Sequence, residues 1–140
     1  MIRRLEKEDL DQVMEIWLKG NQEAHDFISE KYWESHISEV QKQLLQAEVY
    51  VFEEEGKIKG FVGMQGEYLA GIFVEQKSRS LGIGRLLLDQ AKRSHPVLSL
   101  NVYQKNERAL KFYQREGFIV ISKRVDEDTG EIDCTMFWKK

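Results

Sequence analysis

The chain carries one cysteine, Cys134, and one proline, Pro96, in 140 residues. A lone cysteine cannot close an internal disulfide, which excludes a cross-linked secreted scaffold and suits a reducing cytoplasm. One Cys and three scattered His show no ligand spacing, so no metal is expected. No apolar run approaches the ~20 residues that cross a bilayer. The first nine residues, Met1 to Asp9, lack the apolar centre of a signal peptide. No membrane partner is therefore expected. Basic charge is not in excess either: 21 Lys and Arg stand against 24 Asp and Glu, a net charge of −3, which gives no overall footprint for nucleic acid. No repeat, low-complexity segment or linker breaks the chain. With 41% hydrophobic and 32% charged residues, the sequence reads as one globular domain spanning 1–140, as a monomer or a homodimer.

Hydrophobic periodicity gives the element order. Ile2 to Leu5 reads as a short strand. A helix starting near Asp9 sets Leu10, Val13, Ile16 and Trp17 on one face, and Gly20-Asn21 is expected to end it. Gln22 to Ser29 reads as a loop, with Ser29 capping a helix that continues to Gln46. Strands Glu48–Glu55, Lys57–Gln65 and Tyr68–Val74 follow on turns at Gly56 and Gly66, an antiparallel meander. A helix to about Ser94 stops before Pro96, and Val97 to Val102 is the next strand. Strand, crossover helix and strand imply a parallel pair. A helix from Asn106 to Gly117 and a closing hairpin, Phe118–Val125 with Ile132–Trp138, complete the chain. The class is α+β: a mixed, mostly antiparallel sheet with one central parallel pair and helices on both faces.

The chain is organised around Tyr68 to Arg85. An apolar strand enters a loop holding Arg79, Gly82 and Gly84, and the loop enters a helix N-terminus. The first N–H groups of a helix have no internal partner and the helix dipole favours an anion there. Glycine lets a phosphate approach the backbone. Taken alone, Gly-x-Gly fits a tight turn equally well. A P-loop is excluded because Arg85-Leu86 follows Gly84, and a dinucleotide fingerprint because position 87 is Leu. The missing Ser/Thr after Gly84 also counts against a magnesium-nucleotide regulator.

Arg-x-x-Gly-x-Gly at 79–84, directly after an apolar strand, resembles the pyrophosphate loop of the GNAT superfamily of acyl-CoA-dependent N-acyltransferases. Asn106-Glu107-Arg108-Ala109-Leu110-Lys111-Phe112-Tyr113-Gln114-Arg115-Glu116-Gly117-Phe118 resembles its second signature, Asn-x-x-Ala-x-x-x-Tyr-x-x-x-Gly-Phe. Two motifs in the right order make the match specific. Ala24-His25-Asp26-Phe27-Ile28 and Tyr103-Gln104-Lys105-Asn106 suggest the small single-domain bacterial members. The resemblance implies the GNAT fold, whose parallel pair splays apart to take the acyl-CoA in the gap. It implies acetyl-CoA as co-substrate and transfer of its acetyl group to a primary amine, on a protein or peptide lysine or a small molecule. A longer acyl group and a non-catalytic acyl-CoA-binding module are the alternatives.

Site residues follow from the same resemblance. Arg79, Ser80, Leu81, Gly82, Ile83, Gly84 and Arg85 would hold the pyrophosphate. The strand edge at Ile72, Phe73 and Val74 would hold the pantetheine arm and supply an oxyanion donor. Asn106 would contact the coenzyme and Tyr113 would protonate the departing sulfur. These two lie seven residues apart, and seven steps of ~100° return to within ~20°, so they share one helix face. The family's strand glutamate aligns with Ala70, which cannot accept a proton. His25 is the leading replacement, with Glu67, His36 or water also open. His25, Phe27, Trp33, Tyr68 and Asn101 are the expected acceptor site, in which aromatics can flank the stem of a lysine.

Overall fold

In the computed structural model, which describes residues 1–140, seven strands form one sheet in the order β1-β2-β3-β4-β5-β7-β6. The strands are β1 (Ile2–Arg4), β2 (Glu48–Glu54), β3 (Lys57–Gln65), β4 (Tyr68–Val74), β5 (Val97–Tyr103), β6 (Ile119–Val125) and β7 (Ile132–Lys139). The helices are α1 (Leu10–Ala24), α2 (Glu30–Glu34), α3 (Ile37–Gln46), α4 (Ile83–Ser94) and α5 (Glu107–Arg115). All neighbouring strands are antiparallel except β4 and β5. The expected mixed sheet, with its meander and single parallel pair, is the observed one.

Alternation along the strands builds a core on each face. Val62 and Met64 of β3, Leu98, Leu100 and Val102 of β5, and Cys134 and Met136 of β7 pack against Ile83, Leu87, Leu88 and Ala91 of α4 and Tyr113 of α5. On the other face, Val49, Val51, Ile58 and Phe61 pack against Val13, Ile16 and Trp17 of α1, Trp33 of α2 and Leu44 of α3.

Two helix boundaries differ from expectation, each for a tertiary reason. α1 runs through Gly20-Asn21 to Ala24. A Cβ at Gly20 would lie 3.1 Å from the Phe73 ring, so glycine here permits close helix–strand approach and does not terminate the helix. Asn21 is buried, and its side-chain amide donates to the Trp17 carbonyl. The helix capped by Ser29 breaks after Glu34. Ser35 Oγ donates to the Tyr32 carbonyl at 2.7 Å, and His36 Nδ1 meets the same oxygen at 2.6 Å. Those side chains engage the carbonyl at the point where α2 stops.

The site rests on how β4 is held. β4 and β5 pair only at Tyr68↔Ser99, beside a bond from the Ser99 amide to the Glu67 carbonyl (2.9 Å). Beyond that point the parallel strands have no ladder. On its other side β4 pairs with β3 along its length, with one bulge. Gly63 faces Gly71 and Met64 faces Leu69, which leaves Ala70 as the extra residue. The bulge changes the strand's parity, so Leu69, Ile72 and Val74 all join the α4 and α5 side of the core.

Gly60 sets the depth of α4 against this strand. A Cβ there would sit 2.8 Å from the Phe73 carbonyl oxygen and 3.3 Å from both Ile83 and Leu87. Gly60→Ala should destabilise the protein by about 1–3 kcal/mol, the usual cost of overpacking. The shift of the urea midpoint at unchanged m-value measures it; a parent-like midpoint would mean that α4 is free to move outward.

Candidate active site

The phosphate loop combines two left-handed residues with an uncapped helix. Ser80 has φ +68° and Gly82, the residue before α4, has φ +82°. A left-handed residue followed by right-handed ones turns successive N–H groups into a concave cradle. No side chain caps α4, and its internal bonding begins with Leu86 N–H to the Gly82 carbonyl (3.1 Å). The orphan amides at its start therefore face outward with the helix dipole behind them. The two glycines do different work. Gly82 supplies the backbone conformation; Gly84 has no positive φ, and a Cβ there would make only ordinary contacts at 3.7 Å or more. Arg79 is already engaged, with Nε on the Val74 carbonyl (3.3 Å) and Nη1 on Glu23 (3.3 Å). Arg85 is exposed and stands 3.7 Å from Glu116, beyond a hydrogen bond.

Hydrogen-bond parity decides which backbone groups of β4 face the parting. Glu75 N–H bonds the Lys59 carbonyl, and Phe73 faces Phe61 two steps along the same register. Phe73 therefore exchanges its bonds with β3, while Ile72 and Val74 turn their N–H and C=O groups toward β5. Phe73 is thus placed differently from its two neighbours. Its ring stacks on Phe61 at 5.2 Å, covers Gly71, and lies on the α1 side of the sheet.

Tyr113 projects from α5 to this edge. Its ring is buried against Phe118 and Phe112, in the same cluster as Ile72 of β4. Burial pushes the phenol well above its ordinary pKa, with the Ile72 backbone pulling the other way. Tyr113 is therefore a neutral O–H at any physiological pH. Asn106 caps α5 by accepting from the Ala109 amide (3.3 Å).

His25, Phe27 and Trp33 come together, and Tyr103 joins them. His25 stacks on Trp33 at 5.0 Å and meets Phe27 and Tyr103 edge to face at 5.7 Å and 5.3 Å. Its Nδ1 lies 3.1 Å from the Asn21 carbonyl and its Nε2 lies 3.2 Å from Asn106 Nδ2. A carbonyl only accepts and an amide NH2 only donates, so these contacts are satisfied by the neutral ring with its proton on Nδ1. Both nitrogens are occupied, which ties the segment after α1 to the cap of α5. Trp33 Nε1–H is buried and has no partner. Tyr68 and Asn101 form a second group, with Tyr68 Oη donating to Asn101 Oδ1 at 3.0 Å. Asn101 continues to Asp133 and Thr135 of β7, both at 3.0 Å. Sequence reasoning missed those two; the signal available to it was strand alternation, which sets Asp133 and Thr135 on the face opposite Cys134 and Met136. Ala70 is exposed, and no carboxylate takes its place within β4.

The sheet parts at its one parallel pair, with an uncapped helix start and a buried tyrosine beside the parting. Residues 7–138 match the model of the acetyltransferase (GNAT) domain, and the chain belongs to that family. It is an N-acetyltransferase. It is 38% identical to the peptidyl-lysine N-acetyltransferase YiaC of Escherichia coli K12, over 99% of this chain and 96% of that one. To the peptidyl-lysine N-acetyltransferase YjaB of the same organism it is 30% identical, over 93% and 89%. The solution structure of apo YjaB from Escherichia coli superposes with a TM-score of 0.86, covering 99% of this chain and 96% of that chain at 28% identity. A Bacillus anthracis structure solved in complex with acetyl coenzyme A shares the fold over 67% of this chain and 62% of that chain, with TM-score 0.62 and 24% identity. No helix of the chain is long and apolar enough to cross a membrane.

Two predictions follow from this geometry. Gly84→Val should leave the melting temperature near the parent's, since a Cβ there meets only ordinary contacts, while free coenzyme A binds roughly tenfold or more weakly, the cost of one obstructed hydrogen bond to a charged group. Calorimetric titration decides, and parent-like affinity would remove the loop from the phosphate site. The other concerns His25, whose burial lowers its pKa while the Asn21 carbonyl opposes. The unfolded chain then binds a proton more readily than the folded one. His25 should contribute stability that is present above ~6.5 and lost as pH falls toward the lower folded value. Urea midpoints of parent and His25→Gln between pH 5 and 8 should converge at the acidic end; a constant gap would refute the assignment.

Proposed function

We propose that this enzyme transfers the acetyl group of acetyl-CoA to a primary amine, with the ε-amino group of a peptide lysine as the favoured acceptor. The names of the YiaC and YjaB relatives support the acceptor class, and the cradle before α4 supports the coenzyme. The observation that carries the chemistry is the buried Tyr113 phenol of α5, packed in one cluster with Ile72 of β4 where β4 and β5 part. In this reading the pantetheine arm lies along β4 as an added strand would, on the Ile72 amide and carbonyl and the Val74 amide. A backbone N–H of that edge stabilises the oxyanion as the amine attacks. Tyr113 gives its proton to the departing thiolate. His25 serves as a positioning residue, setting Asn106 and hence α5. The buried, free Cys134 is consistent with a cytoplasmic setting.

The amine must be neutral to attack. A lysine ammonium of pKa ~10.4 is neutral in about one molecule in 2500 at pH 7, which costs about 4.6 kcal/mol to recover. An α-amine at ~7.7–8.0 needs only about 1 kcal/mol. With alanine at position 70, lysine must be desolvated and its proton taken by a group outside β4.

Tyr113→Phe removes the hydroxyl and keeps the ring. Turnover of a lysine peptide, followed by thiol release, should fall by roughly 10²–10⁴, the span of one general acid, with acetyl-CoA affinity nearly unchanged. Undiminished turnover would take Tyr113 out of the mechanism.

A further inference from the structure

The face of the sheet opposite α4 carries a polar group beside the parting that none of the assigned roles uses. Asp133 on β7 is half-buried and belongs to no ion pair. Its Oδ2 accepts from Asn101 Nδ2 at 3.0 Å, and the same amide nitrogen donates to Thr135 Oγ1 at 3.0 Å. Asn101 Oδ1 in turn accepts from Tyr68 Oη at 3.0 Å. Register explains the group: Asn101 faces Thr135, and Tyr103 faces Asp133, so side chains of β5 and β7 meet on one surface. Tyr68 reaches in from β4 at the last pair before the strands part. Burial raises the Tyr68 pKa, and the Asp133 charge adds to it.

The geometry points to Asp133, braced by Asn101, as the subsite that receives the ammonium of the acceptor amine. The inference rests on the acetyl-transfer reading above and supplies the group that β4 lacks.

Several features fit a cation here. Asn101 occupies one oxygen of Asp133, which leaves the other oxygen for a ligand. Asp133 has a facing cation, Arg124, across the β6 ladder, yet the two are not within ion-pair distance. Tyr68, 38% exposed, presents ring and hydroxyl next to the carboxylate and can flank an aliphatic stem. Burial and the neighbouring Asp126 raise the Asp133 pKa, against the bond from Asn101 and the charge of Arg124. The titratable groups around it are Tyr68 on β4, Tyr103 on β5, Arg124 on β6 and Asp126 in the β6–β7 turn. The bound ammonium must lose one proton before its lone pair can attack, and the Asp133 carboxylate takes that proton. The N–C bond then forms and the C–S bond breaks; Tyr113 protonates the departing sulfur, and the second proton lost by the attacking nitrogen returns to the Tyr113 oxygen.

The test separates recognition of charge from fold. The enzyme is saturated with free coenzyme A, which has no acetyl group to transfer. A lysine peptide and its norleucine counterpart, which keeps the stem and loses the charge, are then titrated calorimetrically into the parent, Asp133→Asn and Asp133→Glu. The parent should prefer the lysine peptide, and Asp133→Asn should weaken its binding roughly 10- to 100-fold, as expected for a hydrogen bond to a charged group. The norleucine peptide and coenzyme A should bind as before. Asp133→Glu should restore part of the preference. A parent-like preference in a folded Asp133→Asn enzyme would overturn the assignment. If the parent acetylates no lysine peptide, the acetyl-transfer reading fails and the proposal goes with it; if the parent acetylates and only the charge preference ignores Asp133, the subsite alone is wrong.

Discussion

β4 leaves β5 after a single pair, Tyr68↔Ser99, and the active site is built on what that parting exposes. Backbone amides and carbonyls removed from a ladder must find other partners or remain in water. At Val74 the carbonyl is taken by Arg79 Nε. The same parting gives an extended chain a template on which to add, a feature that sheets elsewhere suppress. The Ala70 bulge makes this compatible with a continuous core. Without the extra residue, Leu69 and Ile72 would fall on opposite faces, and β4 could not bury both under α4 and α5.

The aromatic group around His25 solves a different problem. A segment between α1 and α2 has little regular structure of its own, yet it must hold its place beside α5. Neutral His25 does this with two hydrogen bonds, one back to α1 at Asn21 and one to Asn106, 81 residues further along the chain. Stacking on Trp33 and the edges of Phe27 and Tyr103 hold the ring between them. The arrangement is sensitive to charge, because a protonated ring would present N–H to an amide that can only donate. The same residue that looked available as a base is therefore committed on both nitrogens.

With no carboxylate in β4, the polar side chains beside the parting lie on its far side. There, strand pairing gathers Asn101, Asp133 and Thr135, which no local pattern connects, and Tyr68 crosses from β4 to join them. Neutralising an ε-ammonium costs about 4.6 kcal/mol at pH 7. In the proposed subsite, burial beside Tyr68 and the Asp133 carboxylate would have to supply that free energy.

Much was legible in the order of residues alone, because it depends on neighbours in sequence. Alternation and helical period located the strands and helices; Ser29 and Asn106 marked caps; the glycine loop before α4 and the signature from Asn106 to Phe118 marked the family. Gly20 was opaque, since its role is to admit the Phe73 ring, a partner on another element. The break after Glu34 was hidden because it turns on which side chains reach the Tyr32 carbonyl. The sequence by itself determined the elements, the parallel crossover and the glycine loop before α4, all written in short-range periodicity and conformational preference. Only the tertiary structure decided where β4 bulges and parts from β5, that His25 is held by Asn106, and that Asp133 stands beside Asn101, because strand register and long-range closure are set by packing across the sheet.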